Sequence, residues 1–183
     1  MKRWNHCIAI LSLAAAASAQ GQAHQHGVVQ LGVAIDGQTL NLSLDAPLDS
    51  LLGFERRPRT AGEREAVAAV LKRLDPGSAL WRPNAEAQCR LTKTTLEAPL
   101  LQTAGGPGAK EAKEAQEAKE AEHADLDGSW EFHCGQMDKL SGIELGLFDA
   151  FKRIQRIEVQ VAGPKGQVKR ELKRPNKLLG LSR

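Results

Sequence analysis

Aromatic residues make up only 4% of this 183-residue chain, and tyrosine is absent altogether. A surface on which successive bases could stack has almost nothing to be built from, so a nucleic-acid partner is not expected. Net charge is scarce too: +3 overall, and +1 once Lys2 and Arg3 are set aside, which leaves 23 Lys and Arg against 22 Asp and Glu. Such a balance gives no general attraction to polyanions. The spacings that announce common chemistries are also missing. There is no nucleophile elbow, no His-Glu-x-x-His and no Gly-rich phosphate loop, and an enzyme is therefore not expected. The apolar run from Ile8 to Ala17 is too short to span a bilayer, and the mature chain is expected to carry no transmembrane segment.

That run has another meaning. Lys2 and Arg3 precede it and Ala17-Ser18-Ala19 closes it, the three-part pattern of a cleavable secretory leader over residues 1–19. Cys7 has no small-residue context for lipid attachment. Residues 20–183 then form a single exported domain, beginning at Gln20 or, with cleavage after Ala23, at His24. Export leaves two cysteines, Cys89 and Cys134, and an even pair in an oxidising compartment reads as a disulfide. A bridge over this span is worth roughly 4 kcal/mol and is expected to hold two strands at the root of the segment between them. The competing reading, a thiolate metal site, requires reduced cysteines.

Along the chain, Asp36-Gly37 separates two alternating runs, Val28 to Asp36 and Thr39 to Ala46, which predicts a hairpin. Thr60-Ala61-Gly62-Glu63 has capping-box spacing, and Val67, Val70, Leu71 and Leu74 follow at helical intervals. One helix over about 61–74 is expected to lie on the sheet. Gln88 to Leu96 reads as a strand with Cys89, Leu91 and Lys93 on one face. Trp130 to Cys134 reads as another, with Trp130, Phe132 and Cys134 facing one way and Glu131 and His133 the other. Gly142 to Leu147, a short helical turn at Phe148, Ile154 to Val161 and Gln167 to Leu172 complete six or seven strands. The expected class is α+β, mainly antiparallel sheet with one covering helix.

Between the two cysteine strands lies a low-complexity insert, residues 105–127. From Lys110 to Asp127 it holds seven Asp or Glu against three Lys, and apart from Leu126 its only apolar residues are Ala. Such a segment buries too little surface to offset its ordering entropy and is expected outside the core as an exposed Ala/Glu/Lys arm. On composition it is a solubilising spacer; its end, Glu122-His123-Ala124-Asp125, instead offers an imidazole among carboxylates, a donor set that suits zinc. His24 and His26 project to one side of an extended chain and make a half-site for zinc, with copper the less expected ion, or else a polar remnant of the leader. Glu131 and His133 share an outward face.

The order of these features carries a resemblance. A leader, His24-x-His26-Gly27 with Leu31 soon after, Leu48-x-x-Leu51-Leu52-Gly53-Phe54-Glu55, a Cys-bounded polar insert, Leu147-Phe148, an Ile157-Glu158-Val159-Gln160 strand and a Gly166-Gln167 turn together resemble the ZrgA-like family of zinc-regulated periplasmic proteins. The resemblance spans nearly the whole mature chain. It implies a bacterial periplasmic protein that binds zinc, assists its uptake with a transporter component as partner, and uses the insert to collect metal. Here the insert retains a single imidazole, His123.

Two readings follow. In the first, a periplasmic zinc-binding protein takes a divalent ion at His24 and His26, with Glu131 and His133 as a neighbouring face and Glu122, His123 and Asp125 as loose collectors. In the second, a metal-free envelope interaction domain uses its charged arm and its basic C-terminal stretch, Phe151 to Arg183, where ten Lys or Arg meet two Glu. Zinc titration separates them.

Overall fold

A computed structural model of the protein describes residues 25–76, 80–101, 124–164 and 166–181. Residues 1–24 and 102–123, and with them the leader and most of the 105–127 insert, lie outside the described residues. The strands among these are β1 (Val28–Asp36), β2 (Thr39–Pro47), β3 (Trp81–Pro83), β4 (Cys89–Glu97), β5 (Asp125–Cys134), β6 (Gly142–Leu145), β7 (Arg156–Gly163), β8 (Gly166–Lys173) and β9 (Leu178–Gly180). The α-helices among the described residues are α1 (Leu48–Leu52), α2 (Ala61–Leu74) and α3 (Leu147–Ala150).

Six strands form one sheet in the order β4-β5-β2-β1-β7-β8, and β3-β6-β9 form a second. Every pairing is antiparallel except β1 with β7. The class is α+β and mainly antiparallel, as the alternation predicts. Gly37 at φ 55° turns β1 into β2 through two residues, a geometry that a residue with a Cβ adopts only under strain.

Alternation sends one side of each strand inward. Val29, Leu31 and Val33, Leu40, Leu42 and Leu44, and Ile157, Val159 and Val161 are all buried in one core. Each such side chain contributes about 1.5–3 kcal/mol. The small sheet faces the large one, with the Trp81 and Trp130 ring centroids 4.8 Å apart and Ile143, Leu145 and Leu179 in the same core. The helix α2 adds Val67, Val70 and Leu74. A buried indole N–H usually takes a partner, and Trp130 Nε1 donates to the Leu74 carbonyl at 3.0 Å, whereas Trp81 Nε1 is buried without one. Thr60 and Glu63 form the predicted capping box at the start of α2.

Three expectations are corrected. The register of β4 on β5 shifts between Leu91 and Lys93, so Thr92 is a bulge residue. One extra residue reverses the alternation: Leu91 pairs with Phe132, but Lys93 pairs with Glu131 on the outer side, not with Cys89 and Leu91. The insert ends earlier than Asp127, because β5 begins at Asp125 and buries Leu126 completely. Finally, the Cys89–Cys134 disulfide is present, but it does not lie at the root of the insert. Cys89 opposes Cys134 at one end of the β4–β5 ladder and Glu97 opposes Asp127 at the other, where the insert departs. At 3.2–3.4 Å per residue the two ends are roughly 25 Å apart. The segments α1, β3 and β9 go beyond the expectations; each is too short for periodicity to register.

Candidate functional site

At the end of the large sheet where the insert departs, several segments converge. Gly27 has φ +79° and cannot take a side chain without strain; a Cβ there would also meet the Arg153 carbonyl oxygen at 3.1 Å. Its N–H donates to the buried Ser50 hydroxyl at 3.0 Å. Its carbonyl accepts from the amides of Gln155 and Arg156 at 2.7 and 3.0 Å. These bonds tie the residue just before β1 to α1 and to the start of β7. The helix α1 itself ends at Gly53, in the left-handed region at φ 87°, whose N–H donates to the Asp49 carbonyl. That cap sends the chain back past His26.

The result is a small group around an exposed imidazole. His26 Nε2 lies 3.3 Å from Glu55 Oε1, and His26 Nδ1 lies 3.9 Å from Asp49 Oδ2. Asp49 is the more enclosed carboxylate, its side chain 14% exposed, and Arg153 holds it by Nη2 to Oδ1 at 2.9 Å and by Nε to its backbone carbonyl at 2.8 Å. Leu48 at the head of α1 donates its N–H to the Ala124 carbonyl at 2.9 Å, so the chain rejoins the sheet from the insert against the same helix.

The sequence-predicted residues do not all gather here. Asp125 does lie at this end, half-buried at the start of β5 and opposite Pro47. Glu131 and His133 share the outer face of β5, as alternation requires. His133 opposes Thr39 and Arg90 near the disulfide, the length of the sheet away from His26. Glu131 Oε1 accepts from the Thr92 hydroxyl at 3.2 Å. His24, Glu122 and His123 lie outside the described residues. Asp49 and Glu55 were missed by sequence reasoning. Glu55 had a signal, as the last residue of the Leu-Leu-Gly-Phe-Glu block; Asp49, one acid in a five-residue helix, had none.

A second acidic feature crosses the outer face nearby. Asp127 opposes Asp45 on one side and Glu97 on the other. Burial first, then the charges of Asp45 and Glu97, raise the Asp127 carboxyl above its ordinary value. Near the start of α2, Glu63 is held at about 2 by the Arg56 guanidinium and by the N–H groups of Arg59 and Thr60.

Among the described residues no group of three or more His, Cys, Asp or Glu is arranged to hold a metal ion. The His26 and Glu55 pair nevertheless has a usable geometry. Donors bound at about 2.0–2.1 Å to a tetrahedral zinc stand roughly 3.3–3.4 Å apart, and His26 Nε2 and Glu55 Oε1 are separated by 3.3 Å. One nitrogen and one carboxylate oxygen also match zinc's preferences, whereas Asp49, engaged by Arg153, is the poorer donor. No described helix is long and apolar enough to cross a membrane.

A family model described as ZrgA family zinc uptake protein matches residues 23–181. Among curated proteins nothing matches the chain.

Proposed function

This chain belongs to the ZrgA family, and we propose that it is a periplasmic zinc-binding protein that assists zinc uptake, taking the ion at the His26 end of its large sheet. The observation that supports this reading most is the meeting of the two sequence blocks behind the resemblance. His26, of His24-x-His26-Gly27, and Glu55, of Leu51-Leu52-Gly53-Phe54-Glu55, are 29 residues apart in sequence yet bring a nitrogen and an oxygen to the edge length of a zinc tetrahedron.

In this reading His26 and Glu55 are fixed ligands, and His24, two positions earlier, supplies a third. Glu122, His123 and Asp125 serve as loose collectors of the ion. Residues 1–19 direct export and are removed, and zinc is the cargo ahead of copper. Delivery is to a zinc-uptake transporter component.

Calorimetric titration of the metal-free protein with zinc at neutral pH tests the reading. Stoichiometric binding is expected, weakened at least tenfold, about 1.4 kcal/mol, by either His26→Ala or Glu55→Gln, and left unchanged by His133→Ala. Absence of binding heat, or equal affinity in His26→Ala, overturns it.

A further inference from the structure

The two sheets leave one side of the space between them open. β8 is the last strand of the large sheet and β9 of the small one. Register with β7 puts Val168 opposite Val161, Arg170 opposite Val159 and Leu172 opposite Ile157, so all three belong to the inward row. Only Leu172 is buried, and the other seven residues of β8 are exposed. Val168 and Leu178, the latter on β9, are the large hydrophobic residues left exposed among the described residues. Between the edges lies a groove of about 260 Å³, lined by Ile35, Met137, Leu140, Val161, Val168 and Leu181. A side chain at Gly180 on its rim would meet nothing within 4 Å.

Size narrows what fits. An engineered cavity of about 150 Å³ takes benzene, and pockets for complete drug-sized molecules begin at about 300 Å³. This groove suits one or two aliphatic side chains, and it adjoins a strand whose outer edge offers main-chain donors and acceptors. Charge narrows it further. On the outer row of β8, the side on which a strand added there would carry its remaining residues, Lys169 has no ion pair among the described residues, whereas Glu171 is already held by Lys173 at 2.7 Å and Arg156 at 3.7 Å. Asp138 is the carboxylate in the lining. Lysines on an edge strand deter indiscriminate pairing; an incoming strand with acidic residues is the one they admit.

We propose that β8 is a docking edge for an extended segment of a partner protein, alternately acidic and apolar, which adds as a seventh strand and places its apolar side chains in the groove. The inference goes beyond the zinc reading and does not depend on it. The groove flanks the β7–β8 turn, at the opposite end of the sheet from His26.

The test uses the full chain in chelator and the labelled peptide Glu-Val-Asp-Val-Glu-Leu-Asp-Val, read by fluorescence anisotropy. Saturable binding is expected, weakened at least tenfold by Val168→Glu and by Lys169→Glu, with circular dichroism showing both variants folded. The same peptide with alternate amides methylated keeps its charge and apolar groups but loses half its strand edge, and it is expected not to bind. Equal binding of the two peptides, or no binding of the first, overturns the proposal. So does decanoate binding without peptide binding, which makes the groove a site for a small amphiphile, or a dimer abolished by Val168→Glu, which makes the occupant a second copy. Zinc titration of Val168→Glu is expected to match the parent chain, so failure here leaves the zinc reading standing.

Discussion

The two ends of the large sheet are built differently. At one end β4 and β5 are joined covalently through Cys89 and Cys134, with Cys134 fully buried. At the other end packing and backbone bonds hold the strands, and charged groups line the surface: Arg153 on Asp49, Arg56 on Glu63, Arg156 on Glu158 and Glu171, and the exposed His26 beside Glu55. A covalent clamp responds to reductant and not to acid, while an end lined by carboxylates responds to pH and to cations. The metal-type donors that the structure brings together, and the roots of the insert, lie at the second end.

The comparison is broken most severely by removing the clamp. Cys89→Ser with Cys134→Ser is expected to cost about 4 kcal/mol in urea unfolding, since the pair closes a span of 45 residues. The parent protein in reductant should lose as much, and a small loss would mean that packing alone holds that end. Leu126→Ala, at the root of the insert, comes next: a fully buried leucine truncated there is expected to cost about 3 kcal/mol. Stability unchanged by that substitution would put β5's first residues outside the core.

Smaller effects sharpen the pH contrast. Thr60→Ala removes a helix cap and should cost about 1 kcal/mol in the same assay. Its capping partner Glu63 ionises at about 2 instead of 4.5. A depressed carboxyl stabilises the fold above its unfolded value, and that contribution is lost as pH falls from about 4.5 toward 2. Glu63→Gln should therefore flatten the acid limb of the stability curve. Asp127 works in the opposite sense. Its raised folded value means that the penalty of ionising it is absent below its ordinary 3.8 and develops as pH rises through the folded value. Asp127→Asn should gain about 0.5 kcal/mol at neutral pH, the scale of a cross-strand like-charge pair, and gain nothing in acid. A gain that persists in acid would show that charge is not its source.

Much of this was legible in the chain. The alternation of Leu40, Leu42 and Leu44 and of Trp130, Phe132 and Cys134 is a period-2 signal that any half-buried strand must carry, and the Thr60–Glu63 spacing satisfies local backbone donors by itself. What was not legible depended on one-residue or long-range events. Thr92 carries no mark of a bulge, yet it reverses Lys93. Leu126 looked like a stray apolar residue in an acidic tract until β2 paired with it. His26 and His133 looked alike as exposed imidazoles, and sequence distance says nothing about which end of a sheet each occupies.

By itself the sequence determined the strand-rich class, the capped helix, the cysteine pairing and the residue types able to bind a divalent ion, because each rests on periodicity, local hydrogen bonding or composition. Only the tertiary structure decided that Glu55 stands beside His26, that the disulfide closes the end remote from the insert, and that β8 is left as an open edge among the described residues. Strand order and register are collective outcomes of which apolar faces meet in one core, and no local stretch of sequence contains them.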